Sequence, residues 1–269
     1  MKGKKTVITK PLSNTPSVAA AREIPSENAE HAIKGAVKDR VLPFKVPTAI
    51  ALALALAIAV IVGPTANAAG SAPALGAAAN FAILAGAAVT CTGGTVTGNV
   101  GVFPGTAITQ TGCVVTGSVN AGDLVAAPAQ NDFVIAYNAL ATQTCDQTLT
   151  GLGSLTLSPA VYCFDAAATE TGGVLTLDGP ADGIWIFKIG TLGTGALTGT
   201  GFSVVTSGGG QASNVYWHVA QAATFTDSHF LGTILAGAGI TMTRGTFDGR
   251  ALANAAVTIT GTAVSGFAN

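Results

Sequence analysis

The sequence predicts a mainly β protein, a solenoid of short stacked strands with one long α-helix. Three observations carry this. From Ala223 onward the chain aligns with itself in rows of seventeen, ATFTDSHFLGTILAGAG, ITMTRGTFDGRALANAA and VTITGTAVSGFAN. A short fixed period marks units that cannot bury their apolar side alone and must stack. Near its start each row carries Thr-x-Thr around an apolar residue (Phe225, Met242, Ile259), which is strand alternation: the middle residue points inward and the threonines point out. Elsewhere only Asp123 to Ala141 has helical spacing, with Phe133, Ala136, Tyr137 and Leu140 at i, i+3, i+4 and i+7.

In chain order, residues 1–45 hold nine Lys or Arg, four acids and Pro11, Pro16, Pro25 and Pro43 without sustained periodicity. They read as a disordered basic region outside the fold. Residues 46–68 contain the apolar run Thr48 to Gly63, preceded by Lys45 and followed by Pro64 and Ala66-Asn67-Ala68. A basic flank, a short apolar run and a small-x-small site describe a secretory signal peptide cleaved near Ala68. The run is shorter than the ~20 apolar residues of a spanning helix. The alternative is an uncleaved N-terminal anchor that tethers the domain to a membrane. A signal so far into the chain also points to a translation start near Val37, Val41 or Val46. The folded domain is then 69–269, and it is expected to be secreted.

Leu75 to Gly86 opens this domain with a strand around Phe81 and Ile83. Thr95-Val-Thr97, Ala107-Ile-Thr109 and Val114-Val-Thr116 are short strands between glycines, with a turn at Pro104-Gly105. Asn120 or Asp123 caps the helix. Pro128 either kinks it or, as a first-turn proline, marks where it begins. Strands then run to the end: Gly153–Leu157, Ala160–Phe164, Gly173–Leu177, Gly183–Ile189, Ala196–Thr198, Phe202–Thr206 and Asn214–Val219. Gly183-Ile-Trp-Ile-Phe-Lys-Ile189 is apolar enough to be covered on both sides.

Past residue 46 the chain has three basic and nine acidic residues, a net of −6 that the whole-chain value of −1 conceals. Such a domain is a poor partner for nucleic acid. Ordinary soluble surfaces carry roughly 25–35% charged residues, so this one must be largely Thr, Ser, Asn, Gly and Ala, which suits an uncharged partner. Cys91, Cys113, Cys145 and Cys163 in an exported domain imply two disulfides, and three pairings are open. Nearest-neighbour pairing closes two short loops, each adding roughly 3 kcal/mol. There is no Cys-x-x-Cys, and His218 and His229 are distant in sequence, so neither a metal site nor a cofactor is expected.

Several segments together resemble the microbial ice-binding protein family with a discontinuous β-solenoid. They are LGAAANFAILAG (75–86), AGDLVAA (121–127) leading to Ala136-Tyr-Asn138, LTLSPAVYCF (155–164), LTLD (175–178), GIWIFKIG (183–190), NVYWHV (214–219), GRALA (249–253) and AVTI (256–259). The resemblance spans about residues 75 to 262. It implies an irregular, three-faced, right-handed β-solenoid with the helix packed along one side. It also implies an N-terminal strand that returns to stack beside the C-terminal coils. Related bacterial members have a cysteine pair where Cys145 and Cys163 fall, which favours that disulfide; Cys91 and Cys113 are less typical. Arg250 recurs in the family, and the implied role is structural. In this family ice is bound by a flat face on which Thr-Ala/Gly-x-Thr/Asn recurs. Thr92-Gly-Gly-Thr95 and Thr106-Ala-Ile-Thr109 match that pattern.

The expected function is that of a secreted ice-binding protein. It would adsorb through a flat threonine-rich face and inhibit ice growth and recrystallisation. The candidate residues are Thr224, Thr226, Thr241, Thr243, Thr258 and Thr260 from the rows, with Thr92, Thr95, Thr106 and Thr109 from the family pattern. Strands lie ~4.8 Å apart and i to i+2 spans roughly 6.7 Å, so a two-column threonine face is a regular grid. Each threonine offers a hydroxyl to anchor ordered water and a methyl to limit its freedom. The ladder alone is also what any threonine-rich solenoid would make. An enzyme is not expected. Asp227-Ser228-His229 is a triad in letters only, because consecutive residues on a turn cannot adopt the relay geometry. Asp227 and Asp248, with Arg244 and Arg250 nearby, read as turn-forming acids, and His229 as a surface group. The remaining alternative is a secreted adhesive or surface module that binds glycan or a cell surface. Expected partners are an ice surface, with no nucleic acid and no small-molecule substrate, and the domain is expected to be monomeric.

Overall fold

The computed structural model describes residues 70–267; the expected basic region 1–45 and signal segment 46–68 lie outside them. Short parallel strands follow one another around three sides of a solenoid, as the sequence led us to expect. One side stacks Gln147–Thr148, Ala160–Phe164, Trp185–Ile189, Val215–Val219, 233–236, 250–253, Phe81–Ala85, Asn99–Val102 and Val119–Ala121 in that spatial order. The second side stacks Ala168–Thr171, Leu197–Thr200, 223–226, 240–243, Val257–Thr260, Ala88–Thr92 and Ala107–Thr111. The third runs from Thr156–Leu157 through Val174–Asp178, Ser203–Ser207, 229–231, 246–248, Ala263–Ser265 and Thr95–Thr97 to Val114–Val115.

The seventeen-residue rows stack in the register they predict, with Ala223 opposite Ile240 and Ile240 opposite Val257. Phe81–Ala85 is wedged between 251–253 on one edge and Asn99–Val102 on the other. The N-terminal coils therefore sit on top of the C-terminal ones, and spatial order departs from chain order as expected. Inside the solenoid, rings stack from coil to coil, Tyr162 on Phe187 at 5.5 Å and Phe187 on Trp217 at 4.0 Å, and Phe230 lies tilted against Trp217 at 4.6 Å. Parallel pairing puts like side chains directly above one another, and the aromatic column is the inward result.

A second apolar layer lies under the helix α1, Ala126–Ala141. Its Ala129, Phe133, Ala136 and Leu140 pack on Leu84, Val161, Ile186, Leu235 and Leu252 of the first side. All five residues of Trp185–Ile189 are buried, which bears out a strand covered on both sides. The helix starts late enough that Pro128 stands in its first turn, where a missing N–H breaks no bond, and this settles the choice against a kink. Asp123 sits before it, accepting from the N–H groups of Val125 (3.0 Å) and Ala126 (2.8 Å). Those bonds, with Asn120's, hold its carboxyl below the usual range. Both nearest-neighbour disulfides form, Cys91–Cys113 and Cys145–Cys163, each with Cα atoms 5.7 Å apart.

Candidate functional site: a threonine face

The second side repeats one local pattern in every coil. Each of its seven strands contains Thr-x-Thr, and the pairing register brings equivalent threonines together. One file runs Thr169, Thr198, Thr224, Thr241, Thr258, Thr90, Thr109. The other runs Thr171, Thr200, Thr226, Thr243, Thr260, Thr92, Thr111. The intervening residue points inward, and Phe225, Met242, Ile259 and Cys91 are buried there. Seven rows at ~4.8 Å make a face about 29 Å long with files roughly 6.7 Å apart.

What ends each row is also shared. The residue after the second threonine is left-handed in all seven coils: Gly172, Gly201, Asp227, Arg244, Gly261, Gly93 and Gly112, with φ from 49° to 65°. One conformation at one position turns every coil away at the same point, so the two files keep their register. Five of the seven are glycine, the residue that adopts this conformation freely. The two exceptions are neighbours in space and pair with each other. Arg244 Nε and Nη2 donate to the two carboxylate oxygens of Asp227, both at 2.5 Å. The arginine holds the Asp227 carboxyl below its usual range. Both groups are half exposed, so solvent screens the pair and it adds little to stability.

Among the described residues, no protein group engages any of the fourteen threonine hydroxyls. The face carries no outward charge. Its one acidic position, Glu170, points inward and accepts from the Leu152 N–H at 2.5 Å. The first side is covered by α1 and the third is mixed, with Val174, Val205, His229 and Asp248 exposed on it. Among the described residues, the threonine side alone is both uniform and uncovered.

Eight of the ten threonines singled out from the sequence lie in the files: Thr224, Thr226, Thr241, Thr243, Thr258, Thr260, Thr92 and Thr109. The other two do not. Thr95 begins a strand on the third side, across a corner from Thr92. Thr106 precedes the strand Ala107–Thr111, in the turn. The reason is the corner: the left-handed Gly93 turns the chain onto the third side between Thr92 and Thr95, and the strand that holds Thr109 begins only at Ala107, after Thr106. Sequence reasoning missed Thr90, Thr111, Thr169, Thr171, Thr198 and Thr200. Their signal is Thr-x-Thr followed by glycine, present at 90–93, 109–112, 169–172 and 198–201.

The acid–base letters are otherwise occupied. Ser228 Oγ donates to Thr226 O (2.9 Å) and accepts from Phe202 N (3.2 Å), while His229 Nδ1 lies 2.9 Å from Thr246 Oγ1. Arg250 Nε donates to Ala79 O at 2.8 Å, the structural role expected of it.

A sequence model of the ice-binding-like family matches residues 83–265. The chain is 41% identical over 184 residues to an ice-binding protein of Nostoc sp. strain HG1, an alignment covering 66% of each protein. It is 33% identical over 215 residues to ice-binding protein 1 of Shewanella frigidimarina strain NCIMB 400, covering 65% of this chain and 23% of that protein. The match thus spans about two thirds of the first relative's length and under a quarter of the second's. Among solved structures, an ice-binding protein from an Antarctic biological consortium superposes with a TM-score of 0.69 at 36% identity, over 73% of this chain and 92% of that one. A domain of the Shewanella frigidimarina protein gives 0.66 at 30% identity, over 74% and 98%.

Proposed function

The chain belongs to the ice-binding-like family, and we propose that it adsorbs to ice through its seven-row threonine face, slowing crystal growth and recrystallisation. The family is not an enzymatic one. The observation that carries the reading is the pair of threonine files with unengaged hydroxyls on the uncovered side. A stiff, pre-formed grid can order water at low entropic cost, because its own side chains are already fixed by the stacked backbone. Beta-branched threonine strengthens this, having few rotamers to lose. Ice offers no charge to pair, which fits a face without outward charge.

The same reading extends to where the protein works. The apolar run with its basic flank and small-x-small site, together with two disulfides, supports export and cleavage near Ala68. The exported domain acts as a monomer, and a membrane tether follows only where the leader is retained. Recrystallisation inhibition and single-crystal shaping with purified protein test the function. Faceted crystals and arrested coarsening at micromolar protein are expected; smooth discs and normal coarsening reject ice adsorption and leave an adhesive module in its place. N-terminal sequencing of secreted material tests export: a terminus near residue 69 is expected, and one at Met1 rejects it.

A further inference from the structure

We propose that the Cys91–Cys113 disulfide is a positioning element that holds the seventh threonine row on the face, so that reduction or removal leaves a six-row grid. The proposal rests on the ice-adsorption reading for its activity assay, and it has a structural assay that does not.

The two ends of the stack are built differently. Beneath the first row, Thr169 and Thr171, the inward Glu170 is 7% exposed and bonded to the Leu152 N–H, and Leu152 itself is fully buried. That end is closed by the 149–153 segment. The seventh row, Thr109 and Thr111, belongs to the outermost coil, and Ala107–Thr111 pairs with Ala88–Thr92 on one edge only. The inward residue of this row, Gln110, is exposed, and Ile108 and Val115 are only half-buried. Val114 and Val119 of the same coil are 59% and 46% exposed. Apolar packing therefore holds the last row far less than it holds the six beneath.

The disulfide crosses this weak step. Cys91 is the inward residue of Thr90-Cys-Thr92 in row six, 1% exposed within the core. Cys113 stands two residues beyond Thr111, just past the left-handed Gly112. In two other coils the equivalent corner position is tied by a hydroxyl: Ser228 donates to Thr226 O and Thr262 to Arg244 O. In the last coil a covalent bond to the row below takes that place. The second disulfide, Cys145–Cys163, lies at the opposite end on the helix side and does not touch the face.

The test is a double-mutant cycle read by thermal hysteresis and by hydrogen exchange. In the wild type, Thr109→Tyr lowers hysteresis. Cys91→Val/Cys113→Ser is expected to lower it to the same level, and Thr109→Tyr added to that background is expected to change nothing further, because row seven no longer sits on the grid. Exchange protection in 107–115 is expected to fall at least tenfold, with 223–260 unchanged. Where the double variant does not fold, Cys113→Ser alone keeps the buried Cys91 side chain and carries the same expectations. The proposal is overturned if protection in 107–115 survives loss of the disulfide, or if Thr109→Tyr lowers activity by the same factor in both backgrounds. Failure of the ice reading looks different: the wild type then shows no hysteresis while the exchange experiment still reports on the row.

Discussion

Thr241→Tyr places a ring in the middle of the face. Thr241 stands in the fourth of seven rows, between Thr224 and Thr258 in its file. On standard bond lengths a phenol there rises roughly 4 Å above the neighbouring methyls. A flat crystal plane can then rest on at most the three rows to one side. At ~0.8 kcal/mol for each methyl removed from water, fourteen threonines contribute about 11 kcal/mol and six about 5 kcal/mol. Fixing a protein on a surface costs at least ~4 kcal/mol, which leaves a margin of about 7 kcal/mol for the full face and about 1 kcal/mol for half of it. Thermal hysteresis is expected to fall about tenfold or more. Unfolding in urea is expected to shift by less than about 0.5 kcal/mol, because the side chain points outward from a strand that tyrosine favours. Thr95→Tyr, on the third side, is the companion and is expected to keep full activity. If Thr241→Tyr keeps wild-type hysteresis, the files are not the adsorbing surface; if Thr95→Tyr loses it, the third side is.

Three further outcomes follow from the same geometry. Gly172 has φ of 65° and open space around a built Cβ, so Gly172→Val loses stability through the backbone alone, by about 2 kcal/mol in urea titration; Gly172→Asn is expected to lose less than half of that, and equal losses would point to an unseen contact. His218 is buried with its ring tilted against that of Tyr137 at 4.2 Å, and burial, then the charge of Lys188, hold its pKa at about 4 against an ordinary 6.5. The unfolded chain therefore binds more protons between those values, so stability present above pH 6.5 is lost as pH falls toward 4, by roughly 3 kcal/mol at most. His218→Phe is expected to flatten that part of the stability–pH curve, and an unchanged slope would assign the acid sensitivity elsewhere. Arg250→Met removes the bond to Ala79 O and the contact with the Phe267 ring at 5.0 Å; a loss of about 2–3 kcal/mol is expected, with exchange rising first in 76–85.

The C-terminal rows were legible because their coils have equal length. Seventeen residues separate Thr226 from Thr243 and Thr243 from Thr260, so the letters align by themselves. Between Thr171 and Thr200 the step is 29 residues, and between Thr200 and Thr226 it is 26. The extra length goes largely into the turns after Val174–Asp178 and Ser203–Ser207 and, in the first of these coils, into the 190–196 corner, which bulge without moving the strands. Insertions at corners hide a period that the sheet itself keeps. The Thr-x-Thr-Gly signal crosses that irregularity, but it is not selective. Thr95-Val-Thr-Gly98 fits the letters on the third side, and Thr148-Leu-Thr-Gly151 fits them near the first. Gly98 shows why: its φ of 129° turns the chain differently from the corner glycines of the face. The helix was readable from its spacing, but Pro128 left a kink or a start at the proline equally open, and the helix begins two residues before it at Ala126. The cysteine pairing was not, since three pairings satisfy the sequence and only the stacking order brings Cys113 above Cys91.

The wedge of N-terminal coils on top of the C-terminal ones bears on how the face is made. Rows five and six meet through Thr258 opposite Thr90 and Thr260 opposite Thr92, partners 168 residues apart in the chain. A nascent chain that has emerged as far as Thr200 holds rows one, two, six and seven, which lie at opposite ends of the finished stack. Rows three to five are synthesised last and bridge them. Long-range parallel pairing of this kind is slow to form, because the loop must close before any contact rewards it. A chain cut just after Thr200 therefore carries two separate two-row patches instead of a four-row grid. The continuous face exists only once Val257–Thr260 is in place, so its presence reports that synthesis has passed that strand.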